Sequence, residues 1–345
     1  MSGMSDPSDT PSGLEADLQH WARALVAAEA AAAGAPPGAA RARALLDAGR
    51  AKWHLDDLVG CVRFALAVLE DKHIDTPPEL TVGALTMAAF TLLELGAAAQ
   101  AQPLAHRALM LARTEALFDR LHLALSCAAA IAAINGDLER AEALHQEALA
   151  RAGQASGIEP LQMALCNVLS SWILVLRQGD PARAEEVCRC SRRHVAQARF
   201  LKDDARLPPW RRMILQEHLG ELLGLCGMQP EGEALMAQCL ADPATRQDAV
   251  LAQSVATVLA EQLAGRGACA EALALLQAQA HFPEHRAHRG GFQRHLQALR
   301  TTGTCLRQLG RPAEAEAQAH RIADQVRLRN ELRDDAVRAL PPEAR

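Results

Sequence analysis

One turn recurs along this chain at nearly constant spacing, and that spacing leaves few folds open. Its clearest copy is Ile134-Asn135-Gly136-Asp137-Leu138-Glu139-Arg140-Ala141. An apolar helical run stops at Gly136, where glycine supplies the positive φ that ends a helix. Asp137 then accepts the orphan N–H groups that open the next helix. The same turn stands at Leu95-Gly96, Gly179-Asp180-Pro181, Gly227, Gly267-Ala268 and Gly310-Arg311-Pro312, with a glycine-free version at Asp56-Asp57. The turns fall at 56, 96, 136, 179, 227, 267 and 310, at intervals of 40, 40, 43, 48, 40 and 43 residues. A period between about 20 and 50 residues marks a solenoid or array. Each unit is long enough for two helices of about four turns and a connection.

The flanks repeat with the turns. Five residues after each stand Cys61, Ala101, Ala141, Ala184, Gly232, Ala272 and Ala315, all small. Seven before stand Gly49, Ala89, Ala129, Trp172, Gly220, Ala260 and Gly303, small except for Trp172. Small residues at fixed helical offsets let two helix backbones approach closely. This pattern resembles the tetratricopeptide repeat over roughly Arg41 to Arg327. It departs in period, nearer 40 than 34, and in having no Tyr. The long period is similar to the variant of bacterial regulators: maltose-type transcription activators, peptide-sensing Rap-type proteins and the sensor halves of some diguanylate cyclases. The resemblance implies an all-α fold, a right-handed α-solenoid of about seven helix–turn–helix repeats. It also implies binding to other proteins.

Composition narrows the rest. Half of the residues are hydrophobic but only 3% are aromatic, so the core must be built from Leu and Ala, which favour helices. No alternating runs of Val, Ile and Thr announce strands. A net charge of −5 argues against a nucleic-acid-binding surface over the whole chain. The nine cysteines are scattered singly and read as reduced, buried thiols of a cytoplasmic protein.

Read in order, residues 1–13 are expected to be a disordered tail without signal-peptide features. Residues 14–38 are expected to form a capping helix, 39–330 the solenoid, and 331–345 a charged cap or tail. The charged helix around Arg321–Arg338 reads as a solvated cap or a connector stub, with no output domain expected beyond it. Leu80–Leu93, Leu121–Gly136 and Leu161–Leu176 are almost uncharged. They are shorter than the 20 or so residues of a membrane span, so they are expected to be buried within the solenoid.

In such an array the first helix of each pair lines the concave face, where partners bind. The phase puts Thr86, Phe90 and Leu93 on that face in repeat two, and Leu169, Ile173 and Leu176 in repeat four. It puts Glu217 and Glu221 there in repeat five, Glu261 in repeat six, and Arg300 and Arg307 in repeat seven. The groove is thus expected to be apolar, then acidic, then basic, which suits an amphipathic helix or extended peptide. The expected function is a scaffold or regulatory adaptor for a partner peptide or helix. The alternative is a sensor of a small ligand or signalling peptide that regulates a separate output protein. Self-association or tight packing would also cover the apolar face.

Other motifs read as structural. The basic run Arg183, Arg189, Arg192, Arg193, Arg199, Arg211 and Arg212 is interleaved with acids and reads as a solvated face. Cys188-x-Cys190-x3-His194 has metal-like spacing, but Cys188 and Cys190 point about 200° apart on a helix. His281, His285 and His288 read as solvated linker residues. No nucleophile–base–orienter set, cofactor motif or metal site is expected, and the chain is predicted not to be an enzyme. Nucleic acid and membrane are not expected as partners.

Overall fold

The computed structural model describes residues 13–70, 76–278 and 291–342. Most of the expected N-terminal tail, and the His281, His285 and His288 linker, lie outside these residues. The described chain forms sixteen helices and no strand. Helix α1 (Gly13–Gly34) precedes seven antiparallel pairs. The first three are α2 (Ala39–His54) with α3 (Leu58–Glu70), α4 (Pro78–Leu95) with α5 (Ala98–Thr114), and α6 (Phe118–Ile134) with α7 (Leu138–Gln154). Then come α8 (Glu159–Arg177) with α9 (Pro181–Leu201), and α10 (Pro209–Leu225) with α11 (Gln229–Ala241). A short α12 (Pro243–Gln247) leads into α13 (Ala249–Gly265) with α14 (Cys269–Ala278), and α15 (Gly291–Gln308) pairs with α16 (Pro312–Ala339). The fold is a right-handed α-solenoid of seven helical hairpins.

The hairpin turns form as the local residues dictate. Gly96, Gly136, Gly179, Gly227, Gly267 and Gly310 all have positive φ. At the glycine-free turn Asp56 takes the left-handed conformation instead, at φ 62°, which Asp tolerates better than most residues. Asp137 accepts from the Arg140 N–H at 3.1 Å, and Asp180 from the Ala182 N–H at 3.0 Å. The one long interval, 48 residues, reflects the 21-residue helix α9.

The small residues mark the helix crossings. All seven positions before the turns are buried, Trp172 included, and so are six of the seven after them. Where α10 crosses α11, a methyl group on Gly232 would sit 2.8 Å from the Gly220 carbonyl oxygen. No side chain larger than hydrogen fits there without moving backbone.

Successive first helices (α2, α4, α6, α8, α10, α13, α15) pack on one another across repeats, while the second helices lie outside and barely touch their counterparts. Closer packing on one side is what curves the array. α4 and α8 are long and apolar enough to cross a membrane by length and composition, yet more than half of each is buried in the fold. α1 packs along α2, with Trp21 stacked on His54 at 3.7 Å between ring centroids.

The C-terminal helix behaves differently from expectation. α16 runs unbroken through the predicted boundary at residue 330 and packs on α3 and α4 as well as on α15. Its buried Ala336 and Leu340 belong to the core of the first repeats. Arg329 donates to the backbone carbonyl of Glu94 at 2.7 Å, near the C-terminus of α4, and lies over the Phe292 ring at 5.1 Å. A long helix with apolar residues at its far end can bury them only against another element. Curvature brings the first repeats within reach, and the solenoid closes on itself.

Candidate binding interior of the superhelix

The residues expected to line an apolar groove are mostly packing residues. Leu93, Leu169 and Ile173 are buried. Thr86 is buried too, and its hydroxyl donates to the Val82 carbonyl one turn back at 2.7 Å. The expectation of an open apolar groove through repeats two to four is therefore corrected. Neighbouring first helices meet along those positions and bury them. Phe90 and Leu176 remain half-exposed.

The acidic and basic parts are also rearranged. Glu217 and Glu221 on α10 are buried and Glu261 on α13 is half-exposed, but Arg300 and Arg307 are exposed and do not neutralise them. Two other arginines do. Arg177, the last residue of α8, donates from Nε to Glu221 at 2.7 Å and reaches Glu261 from Nη1 at 3.1 Å and Nη2 at 2.8 Å. Arg294 on α15 reaches Glu217 at 2.8 Å and also bonds Glu221. Gln297 donates to Glu261 at 2.8 Å and accepts from Arg294 at 2.9 Å. Ser254 accepts from Arg294 at 2.8 Å and donates to Glu217.

The network joins repeats that are not neighbours. Arg177 spans from repeat four to repeat six, and Arg294 from repeat seven back to repeat five. The interior is thus narrow enough for one arginine to cross it. Burial alone would raise the Glu221 carboxyl, but Arg294 and Arg177 override it and hold the group at about 2. Burial opposes the charge on Arg294, and Glu221 and Glu217 more than restore it. Removing one member would leave an uncompensated buried charge. The five ionised groups carry three negative and two positive charges, and Glu261 is the carboxylate most open to solvent, with 37% of its side chain exposed.

Phase counting missed Arg177 and Arg294 because it stopped at fixed offsets. Their sequence signals were an arginine ending a helix with no other charge after Glu159, and an arginine in the first turn of another. A second buried cluster was also missed. Trp172, the one large residue in the small-residue column, is fully buried with His145 and His194 around it. Its indole N–H donates to His194 Nδ1 at 3.3 Å, while neither ring nitrogen of His145 has a hydrogen-bond partner. Burial, with a smaller contribution from His194, lowers His145 to about 3.

The metal-like motif is dismantled by the fold. Among the described residues no three His, Cys, Asp or Glu side chains assemble into a metal-binding group. Cys188 is bonded to Cys226 in a disulfide, with Cα atoms 5.5 Å apart. This corrects the reading of all nine cysteines as reduced: α9 packs on α10 and brings together two residues 38 apart in sequence. Cys190, on another face of α9, remains a thiol.

Neither a protein-family model nor a curated protein matches the sequence. Among solved structures the chain is similar to one described as a Rap protein complexed with Competence and Sporulation Factor. The identity is 12%, the TM-score is 0.60, and the match covers 95% of this chain and 90% of that one. At that identity the likeness concerns the fold.

Proposed function

We propose that this chain is a non-catalytic regulatory adaptor that holds a peptide or helix of a partner in the interior of its superhelix. The observation that carries this reading is the unbalanced interior charge. Three carboxylates face two guanidiniums, and the excess negative charge is accessible at Glu261. A partner presenting a basic residue would complete the network. Half-exposed Phe90 and Leu176 on the same series of first helices supply apolar contacts, and Arg300 and Arg307 offer positive charge at the other end of the array. The Rap protein of similar fold was captured with Competence and Sporulation Factor, which supports a binding role for this architecture.

The test is affinity capture from an extract of the source cells, comparing the native chain with a folded Phe90→Glu/Glu261→Gln variant. A specific protein or peptide held by the native chain and lost by the variant is the expected result. Equal retention by both would sink the interior-binding reading.

A further inference from the structure

A cleft of about 1210 Å³ opens at the edge of the solenoid, away from the interior network. It lies between the ends of α7 and α9 and the starts of α6, α8 and α10. Its floor is apolar, with Leu161, Leu165 and Leu201. Phe200 on its lip is 81% exposed and Met163 is 38% exposed; Trp210 beside it is 45% exposed. Two of the chain's six Phe and four Trp, Phe200 and Trp210, are thus exposed on the elements that form the cleft, where exposed apolar surface marks interaction sites.

The polar side of the cleft is basic. Arg120, Arg206 and Arg211 line it, with Glu159 as the one carboxylate. Arg211 contacts Glu159 at 3.2 Å and Gln162 at 3.0 Å, and its guanidinium lies over Trp210 at 4.7 Å. Arg206 is paired with Asp204 at 2.6 Å. Counting both acids, one positive charge remains, on exposed Arg120. The buried Arg211 Nε–H has no acceptor.

We propose that this cleft docks an acidic segment of a partner protein, anchored by a bulky apolar side chain beside Phe200 and oriented by carboxylates against Arg120 and Arg211. Arginine, methionine and exposed aromatics on one patch are the composition of protein interfaces. A volume above the usual 300–1,000 Å³ of small-molecule pockets favours a peptide segment over a metabolite. The proposal does not rest on the interior-binding reading, because the two sites share no residue and favour opposite charges.

An array of twelve-residue peptides of graded net charge and apolar content tests it, probed with the full chain and with a Phe200→Ser/Arg120→Glu variant. Both substitutions are at exposed positions, and circular dichroism would establish that the variant is folded. Among the retained peptides, acidic ones that carry a large apolar residue should bind the variant at least tenfold more weakly. Retention of no acidic peptide, or binding of the acidic peptides by the cleft variant within twofold of the native chain, would overturn the proposal.

Discussion

At the residue scale, the most consequential side chain outside the charge network is His145. Its ring is fully buried against Trp172 with both nitrogens unsatisfied. The folded state therefore keeps it neutral, while the unfolded chain takes up a proton near the ordinary imidazole value of 6.5. Above that value neither state is charged and the residue has no pH effect. Below it only the unfolded chain gains the proton, so stability falls as pH drops from 6.5 toward the folded value of about 3. At pH 5 the loss is about 2 kcal/mol. Buried His194 faces this ring, with Glu142 3.7 Å from it, and its own value is also lowered by burial. His145→Phe should keep the ring packing, remove two orphaned polar atoms and raise the melting temperature at pH 7, since an unsatisfied buried group costs about 1–3 kcal/mol. It should also lessen the fall between pH 7 and 5. Melting curves at the two pH values check both points, and an unchanged slope would acquit His145.

At the scale of elements, the hairpins follow directly from the sequence because their signals are local. A turn glycine, a capping aspartate and small residues at the crossing all act within about twenty residues. Ala141 shows the dependence. It is fully buried where α7 crosses α6, and Ala141→Trp is expected to destabilise repeat three by at least 1–3 kcal/mol through over-packing. Melting temperature and helical circular dichroism would report it; a variant that melts like the native chain would refute the crossing. Trp172 shows where the pattern misleads. It is the one large residue in a column of small ones. In the fold it fills the space between α7, α8 and α9 with His145 and His194 as neighbours. Thr86 and Leu93 lie on α4, and Leu169 and Ile173 on α8, but whether such a position faces a groove or a neighbouring helix depends on how closely the repeats stack.

At the scale of the whole molecule, closure by α16 is the feature that most shapes the interior. Arg329 satisfies a carbonyl near the end of α4, where cations complement the helix dipole, while Ala336 and Leu340 enter the core of the first repeats. Arg329→Ala should loosen this contact and let the superhelix open. Small-angle scattering should then show a larger radius of gyration with helix content unchanged. An unchanged profile would assign closure to the apolar end of α16 alone.

The sequence by itself determined the all-α class, the seven hairpins, their turns, and the small residues at their crossings. Each depends on residues close together in the chain, where propensity and capping act directly. Only the tertiary structure decided which inner positions are open, which arginines neutralise Glu217, Glu221 and Glu261, and that Cys188 meets Cys226. The deciding contacts are long-range: Arg177 lies 84 residues from Glu261, and Arg329 lies 235 from Glu94. Such partners are set by a small rotation between repeats added up over several of them, and no local pattern of residues encodes that sum.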